Sequence, residues 1–140
     1  MEYLTSGLLS VALVSMCITV HYEALRGLEK LSQKFRLHRW MVLITMYGLL
    51  LAHVIEIWIF GLGYMFAERW MNIGTVTAIS ADWFDYIYYS AMVYTTVGFG
   101  DMVPEGGARM VSSTEALAGL ALITWSASFT FLQMQRLWRD

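Results

Sequence analysis

Apolar residues run almost without interruption through three stretches, and the polar positions within and between them define the rest of the chain. The first stretch, Tyr3 to about Tyr22, has no charged side chain and is diluted by Ser6, Ser10, Ser15 and Thr19. The second, Trp40 to about Phe66, is the most apolar but holds His53 and Glu56. The third, about Val111 to Leu137, is rich in small residues such as Ser112, Ala118, Gly119 and Ala121. A hydrocarbon core of roughly 30 Å takes about 20 mostly apolar residues as a helix, so each stretch predicts a membrane span. Small residues let helix backbones approach closely, so the third is predicted to pack in a bundle and to line its centre. The first begins with Glu2 and no basic residue, and no cleavage site stands out. It is therefore read as a retained helix rather than a signal peptide.

Between the first two stretches the pattern changes period. Leu25, Leu28, Leu31 and Phe35 recur at helical spacing, with Arg26, Glu29, Lys30 and Lys34 on the other faces. This predicts an amphipathic helix that lies on the inner membrane surface or continues the first span. Two roles fit it: a basic connector resting on anionic lipid, or an element coupled to gating. Arg26, Lys30, Lys34, Arg36 and Arg39 crowd this linker, Arg136 and Arg139 close the chain, and only Arg69 and Arg109 lie between the second and third stretches. Basic residues favour the inner side, so the linker and C-terminus are expected in the cytoplasm and the N-terminus outside, in a multi-pass protein of the plasma (inner) membrane. Trp40 and Trp138 then mark the inner interface and Trp70 the outer one.

The segment before the third stretch follows neither rule. Asp82 is placed to cap a helix over Trp83–Tyr94, with Asp85 three residues on, both suited to the positive helix end. Twelve helical residues cover about 18 Å, too little to span a bilayer. Thr95-Thr96-Val97-Gly98-Phe99-Gly100-Asp101 follows, then Met102-Val103-Pro104. A short helix leading into glycine-containing backbone predicts a re-entrant loop. Such backbone survives at membrane depth only where protein buries it or water reaches it.

Thr95 to Asp101 resembles the selectivity filter of potassium channels, whose pattern is T-T-V-G-[YF]-G-D. The seven residues stand in that family's order of outer helix, pore helix, filter and inner helix. The resemblance implies an all-α membrane protein with three transmembrane helices, a re-entrant pore helix and filter between the second and third, and assembly as a homotetramer. It divides the chain into residues 1–39, an extra N-terminal helix with its linker, and residues 40–137, the pore domain. It implies potassium ion sites at Thr96, Val97, Gly98, Phe99 and Gly100, with Asp101 at the pore mouth and filter support from Tyr89, Tyr94 and Thr95. Potassium is then the permeant ion, with no cofactor, membrane lipid as surroundings and no nucleic acid as partner.

The chemistry agrees with that reading. A dehydrated potassium ion needs oxygens aimed at the pore axis in place of its hydration shell. Backbone carbonyls supply them only if the chain alternates conformations that Gly98 and Gly100 adopt freely. Val97 and Phe99 are expected to point away from the axis and wedge against the pore helix, and the Thr96 hydroxyl adds an oxygen. The negative end of the pore helix, near Tyr94, favours a cation. Tyr86, Tyr88, Tyr89 and Tyr94 form either a cuff that holds the filter or plain interfacial packing.

The sequence also departs from the pattern. Phe99 lacks the hydroxyl of the commoner Tyr. Met92 stands where some members carry a Glu that braces the filter aspartate, so Asp101 is expected to lack such a partner. It either attracts cations at the entrance or is simply solvated. No span carries the spaced arginines of a voltage sensor. No ligand-binding domain follows the third span within these 140 residues. Gly119 is a hinge of the inner helix or a close-packing position, and Ser126 and Thr130 are candidates to wet the cavity below the filter.

His53 and Glu56, three apart, share one face of a span. Ionisable groups there are costly and face protein or water. They form either a buried pair tying the outer helix to the pore helix or to Arg109, or a pH sensor involved in gating. A metal needs more ligands than are visible beside them. Composition supports the membrane class: 58% of residues are hydrophobic and 14% charged, against about 45–50% apolar and 25% charged in soluble domains. Nine basic and eleven acidic residues give −2, so no broad basic face suggests nucleic acid, and Cys17 alone makes no intrachain disulfide. Three rivals to a potassium channel stay open: a non-selective cation channel, a non-conducting regulatory subunit, and a membrane enzyme using His53 and Glu56. The last lacks a nucleophile and leaves the filter motif unexplained, so no enzymatic activity is expected.

Overall fold

The computed structural model describes residues 2–35, 40–80 and 82–138. Arg36, Arg39 and Arg139, counted in the charge asymmetry, and Ala81, before the pore helix, lie outside them. Three helices are long and apolar enough to cross a membrane: α1 (Glu2–Phe35), α2 (Trp40–Phe66) and, last in the chain, α4 (Ala108–Leu137). The short α3 (Trp83–Tyr94) lies between α2 and α4 in sequence. Of the two courses open to the basic linker, the chain takes the second. It continues the first span as one helix of 34 residues. That is about 51 Å at 1.5 Å per residue, well beyond a hydrocarbon core of roughly 30 Å.

Contacts at both ends set the helix directions. At one end Gly107 N donates to Glu2 Oε1 at 2.7 Å. At the other, Arg136 Nη1 donates to Glu29 Oε1 at 3.2 Å and Ser32 Oγ to Gln133 Oε1 at 3.3 Å. Helices α1 and α4 therefore run parallel, with α2 antiparallel to both. The core gathers Leu13 and Cys17 of α1, Phe60 and Tyr64 of α2, Tyr86 and Tyr89 of α3, and Val111 and Leu122 of α4.

After α2 the chain tightens into a π-helical turn, Ala67–Met71, whose Arg69 guanidinium lies 5.8 Å from the Tyr86 ring centroid. A two-residue strand, β1 (Thr75–Val76), then pairs antiparallel with β2 (Pro104–Glu105). Thr77 N donates to the Val103 carbonyl at 2.9 Å, and Val103 N to Thr77 Oγ1 at 3.1 Å. This clasp closes the base of the loop that carries α3 and the residues after it. Helix α3 starts as the sequence predicts: Phe84 N donates to the N-cap Asp82 Oδ1 at 3.2 Å. Asp85 accepts instead from the Ser80 backbone amide at 2.8 Å and from the Ser80 hydroxyl.

The small residues of α4 allow the close approach expected of them. A Cβ at Gly119 would overlap the carbonyl oxygen of Tyr94 at the end of α3. Of the two roles considered for Gly119, the structure supports close packing. Gly119→Ala is expected to destabilise the fold by about 1–3 kcal/mol through overpacking, measured by denaturant unfolding in detergent. An unchanged midpoint would refute the contact.

Candidate functional site

Two carboxylates lie completely buried in the bundle, Glu56 on α2 and Glu115 on α4. Burying an ionisable group among apolar residues is costly unless hydrogen-bond partners meet it. Helix α3 supplies partners from residues four apart, hence from one face. The Tyr94 hydroxyl donates to Glu56 Oε2. Ser90 Oγ lies 2.5 Å from Glu115 Oε1 and 2.8 Å from the Ile57 carbonyl oxygen, and its single proton serves one of them. Tyr64 Oη donates to Glu115 Oε2 at 2.5 Å.

Around Glu56 the cluster is larger than the sequence suggests. His53 Nδ1 lies 3.0 Å from Glu56 Oε2 and 2.9 Å from the Tyr94 hydroxyl. His21 of α1, fully buried, places Nδ1 2.9 Å from Glu56 Oε1. Ser126 Oγ of α4 lies 2.9 Å from His53 Nε2 and 3.3 Å from His21 Nε2. The His53–Glu56 pair thus ties the outer helix to the pore helix through Tyr94, and Arg109 is not among these partners. Ser126 is turned into this cluster, with its hydroxyl beside both histidines.

The tyrosines of α3 do not close into one cuff within the chain. Each takes its own partner: Tyr86 the Arg69 guanidinium, Tyr88 the filter end, Tyr89 helix α4 and Tyr94 helix α2. Tyr89 Oη lies 2.7 Å from Ser112 Oγ, and its ring meets Tyr64 edge-on at 5.0 Å. Tyr88 Oη donates to Asp101 Oδ2 at 3.0 Å. Asp101, expected to lack a pore-helix partner because Met92 is not Glu, therefore has one from a different position. Tyr88 stands one helical turn before Met92 and reaches it with a longer side chain.

The segment from Thr95 to Asp101 is held at its start by the last turn of α3. Thr95 Oγ1 donates to the Ala91 carbonyl at 2.7 Å, Thr96 N to Val93 at 3.0 Å and Gly98 N to Met92 at 3.1 Å. Thr96, Gly98 and Gly100 have φ of 60°, 52° and 80°, while the intervening Val97 and Phe99 stay out of the left-handed region. Every second residue is thus left-handed. A Cβ at Gly98 or Gly100 would meet no atom within 4 Å of the chain, so the backbone conformation sets the demand for glycine there. Thr96 adopts it without that freedom, a strained conformation of the kind that concentrates at functional sites.

Val97 and Phe99 were expected to wedge against the pore helix. Instead they are 54% and 70% exposed in the single chain. Phe99 borders a hollow of about 320 Å³ with Tyr88, Met92, Asp101 and Ser113, without being covered by it. Thr95 to Asp101 are all exposed. His21, Glu115 and Tyr64 were missed in the sequence. The charge of Glu115 inside a span was a signal of the same kind as His53 and Glu56.

Two apolar helices flanking a short helix and a loop with alternating backbone handedness describe an architecture for ion passage, and a family described as ion channel matches residues 40–136. The chain belongs to this ion channel family. It is also 42% identical over 50 residues to the uncharacterized membrane protein YdjJ of Bacillus subtilis (strain 168). That stretch is 35% of this channel chain and only 15% of the relative's length. No solved structure matches the channel chain.

Burial sets the weight of each polar contact in the channel. Ser90→Ala removes a donor from a buried carboxylate and is expected to cost on the order of 1–2 kcal/mol. Tyr88→Phe removes an exposed bond and is expected to cost less than about 0.5–1 kcal/mol. Denaturant unfolding of the two variants checks the order, and equal losses would contradict it.

Proposed function

We propose that this chain is the pore-forming subunit of a potassium-selective channel, conducting potassium passively through a homotetrameric pore in the plasma membrane. The observation that carries the reading is the backbone of Thr96 to Gly100. Its left-handed residues alternate with ordinary ones directly after a twelve-residue helix that is too short to span. This alternation supports carbonyl groups that face one side of the strand, as a ring of oxygens around a dehydrated ion requires. Thr96, Val97, Gly98, Phe99 and Gly100 then supply the ion sites, and Asp101, held by Tyr88, stands at the outer mouth. Thr95, Tyr89 and Tyr94 support the filter through the pore helix.

One strand cannot surround an ion, and four related by closed rotational symmetry do. The exposure of Val97 and Phe99 supports this assembly, because neighbouring copies would cover side chains that their own pore helix leaves bare. The basic end of α1 and the C-terminus then face the cytoplasm, and the filter mouth with the N-terminus faces outward.

A looser filter is the second reading, favoured by Phe99, whose ring has no hydroxyl to bond the pore helix. Purified protein in liposomes separates the two. Potassium gradients are expected to drive flux that sodium gradients do not and that external barium blocks. Gly98→Ala, forcing a Cβ onto a φ of 52°, is expected to abolish it while leaving helix content unchanged. Equal sodium and potassium flux would overturn the selectivity, and absence of flux would leave a non-conducting regulatory subunit.

A further inference from the structure

The geometry points to a second cation site, separate from the filter: His21, His53 and Glu56 bind a divalent transition-metal ion of the zinc class between α1 and α2. One donor atom from each of the three lies within 4.8 Å of the others. His53 and Glu56 come from one face of α2, and His21 comes across from α1. Two imidazoles and a carboxylate are a donor set that suits zinc and its neighbours rather than potassium, which takes oxygens. The donors are carried by long helices, so the site is largely formed before an ion arrives.

The three converging donors carry the inference, and the Ser126 hydroxyl supports it. Its hydroxyl oxygen lies 2.9 Å from His53 Nε2 and 3.3 Å from His21 Nε2. A hydroxyl has one proton and two lone pairs, so it can accept from both N–H groups, or donate to one ring and accept from the other. With both Nε2 atoms protonated, the neutral rings turn two Nδ1 lone pairs toward Glu56, at 2.9 Å from Oε1 and 3.0 Å from Oε2. Lone pairs facing a carboxylate call for positive charge between them, which a proton or a metal ion supplies. A metal ion provides it with both imidazoles neutral, the state in which they ligate. Ser126 then acts as the outer partner that fixes both rings, as metal-bound histidines require, and the Tyr94 hydroxyl does the same for the carboxylate.

Ligands about 2.0–2.1 Å from a tetrahedral ion stand roughly 3.3 Å apart, so the two N···O spacings of 2.9 and 3.0 Å need to open slightly and the remaining separations, within 4.8 Å, to close. Side-chain rotation supplies that. His53 is 16% exposed and borders a cavity of about 380 Å³ between α2 and α4, lined also by Met46, Leu49, Ser126 and Thr130. The cavity gives an ion a route and leaves room for a water as a further ligand. Bound there, the ion would hold Glu56 and, through it, the Tyr94 end of the pore helix.

The test uses the purified 140-residue chain in detergent, stripped with a chelator, then titrated calorimetrically with Zn²⁺ and followed with Co²⁺ by visible absorption. One ion per chain is expected. His21→Ala and Glu56→Gln are expected to weaken binding by at least about 100-fold, and Ser126→Ala, which keeps all three ligands, by about 10–100-fold. If His21→Ala fails to fold, Ser126→Ala still decides. No saturable binding to the unmodified chain would overturn the site and leave the cluster to protons alone. Binding undiminished in Ser126→Ala or His21→Ala would overturn it as an ion held elsewhere.

Discussion

Two carboxylates buried in an apolar bundle need donors, and meeting that need fixes where the short helix α3 stands. Glu56 and Glu115 sit on the two helices that flank it, with no access to water. Neither has a cationic lysine or arginine among its hydrogen-bond partners in the described residues. Instead Tyr94 and Ser90, from one face of α3, reach one carboxylate each. A shift of α3 by one residue would turn both hydroxyls away and strand both acids, a cost of several kcal/mol per ion in a low-dielectric interior. The polar contacts therefore specify register, and the surrounding apolar packing supplies most of the attraction.

The Thr95–Asp101 segment depends on that register. Tyr94 is the last residue of α3, and its carbonyl is pressed against Gly119, where no Cβ fits. The amides and hydroxyl of Thr95, Thr96 and Gly98 return to the carbonyls of the turn just before it. At the other end Tyr88 holds Asp101, and the β1–β2 clasp closes the loop. The segment is thus pinned at both ends to an element that is itself pinned to α2 and α4. Helix α1 joins the same arrangement through His21, so it is part of the frame that carries the loop rather than an appendage to the channel domain.

Local pattern and chemistry made the helices and the loop legible in the sequence, while long-range partnerships were not. The spans follow from uninterrupted apolar runs, and α3 follows from Asp82 as N-cap and its length. The Thr-Thr-Val-Gly-Phe-Gly-Asp run marked the loop because Gly98 and Gly100 are what a left-handed backbone demands. His21 was passed over because it lies near the end of an apolar run, where a histidine is easily solvated, and only the fold brings it 2.9 Å from Glu56. The clasp escaped because two-residue strands are too short to show alternation. The partner of Asp101 is not legible from the Met92 position, because a side chain four residues earlier, Tyr88, reaches the same carboxylate. Val97 and Phe99 remain uncovered because the surface that would cover them is not in a single chain.

The dependence of α3 on Glu56 is most directly tested by a double-mutant cycle on Tyr94→Phe and Glu56→Gln, read by unfolding of the purified protein in mixed micelles. A coupling energy of about 1–2 kcal/mol is predicted, at the upper end for hydrogen bonds between membrane helices, because the acceptor is a buried carboxylate. Additivity of the two losses to within about 0.3–0.5 kcal/mol would mean that α3 stands without this bond, contradicting the account.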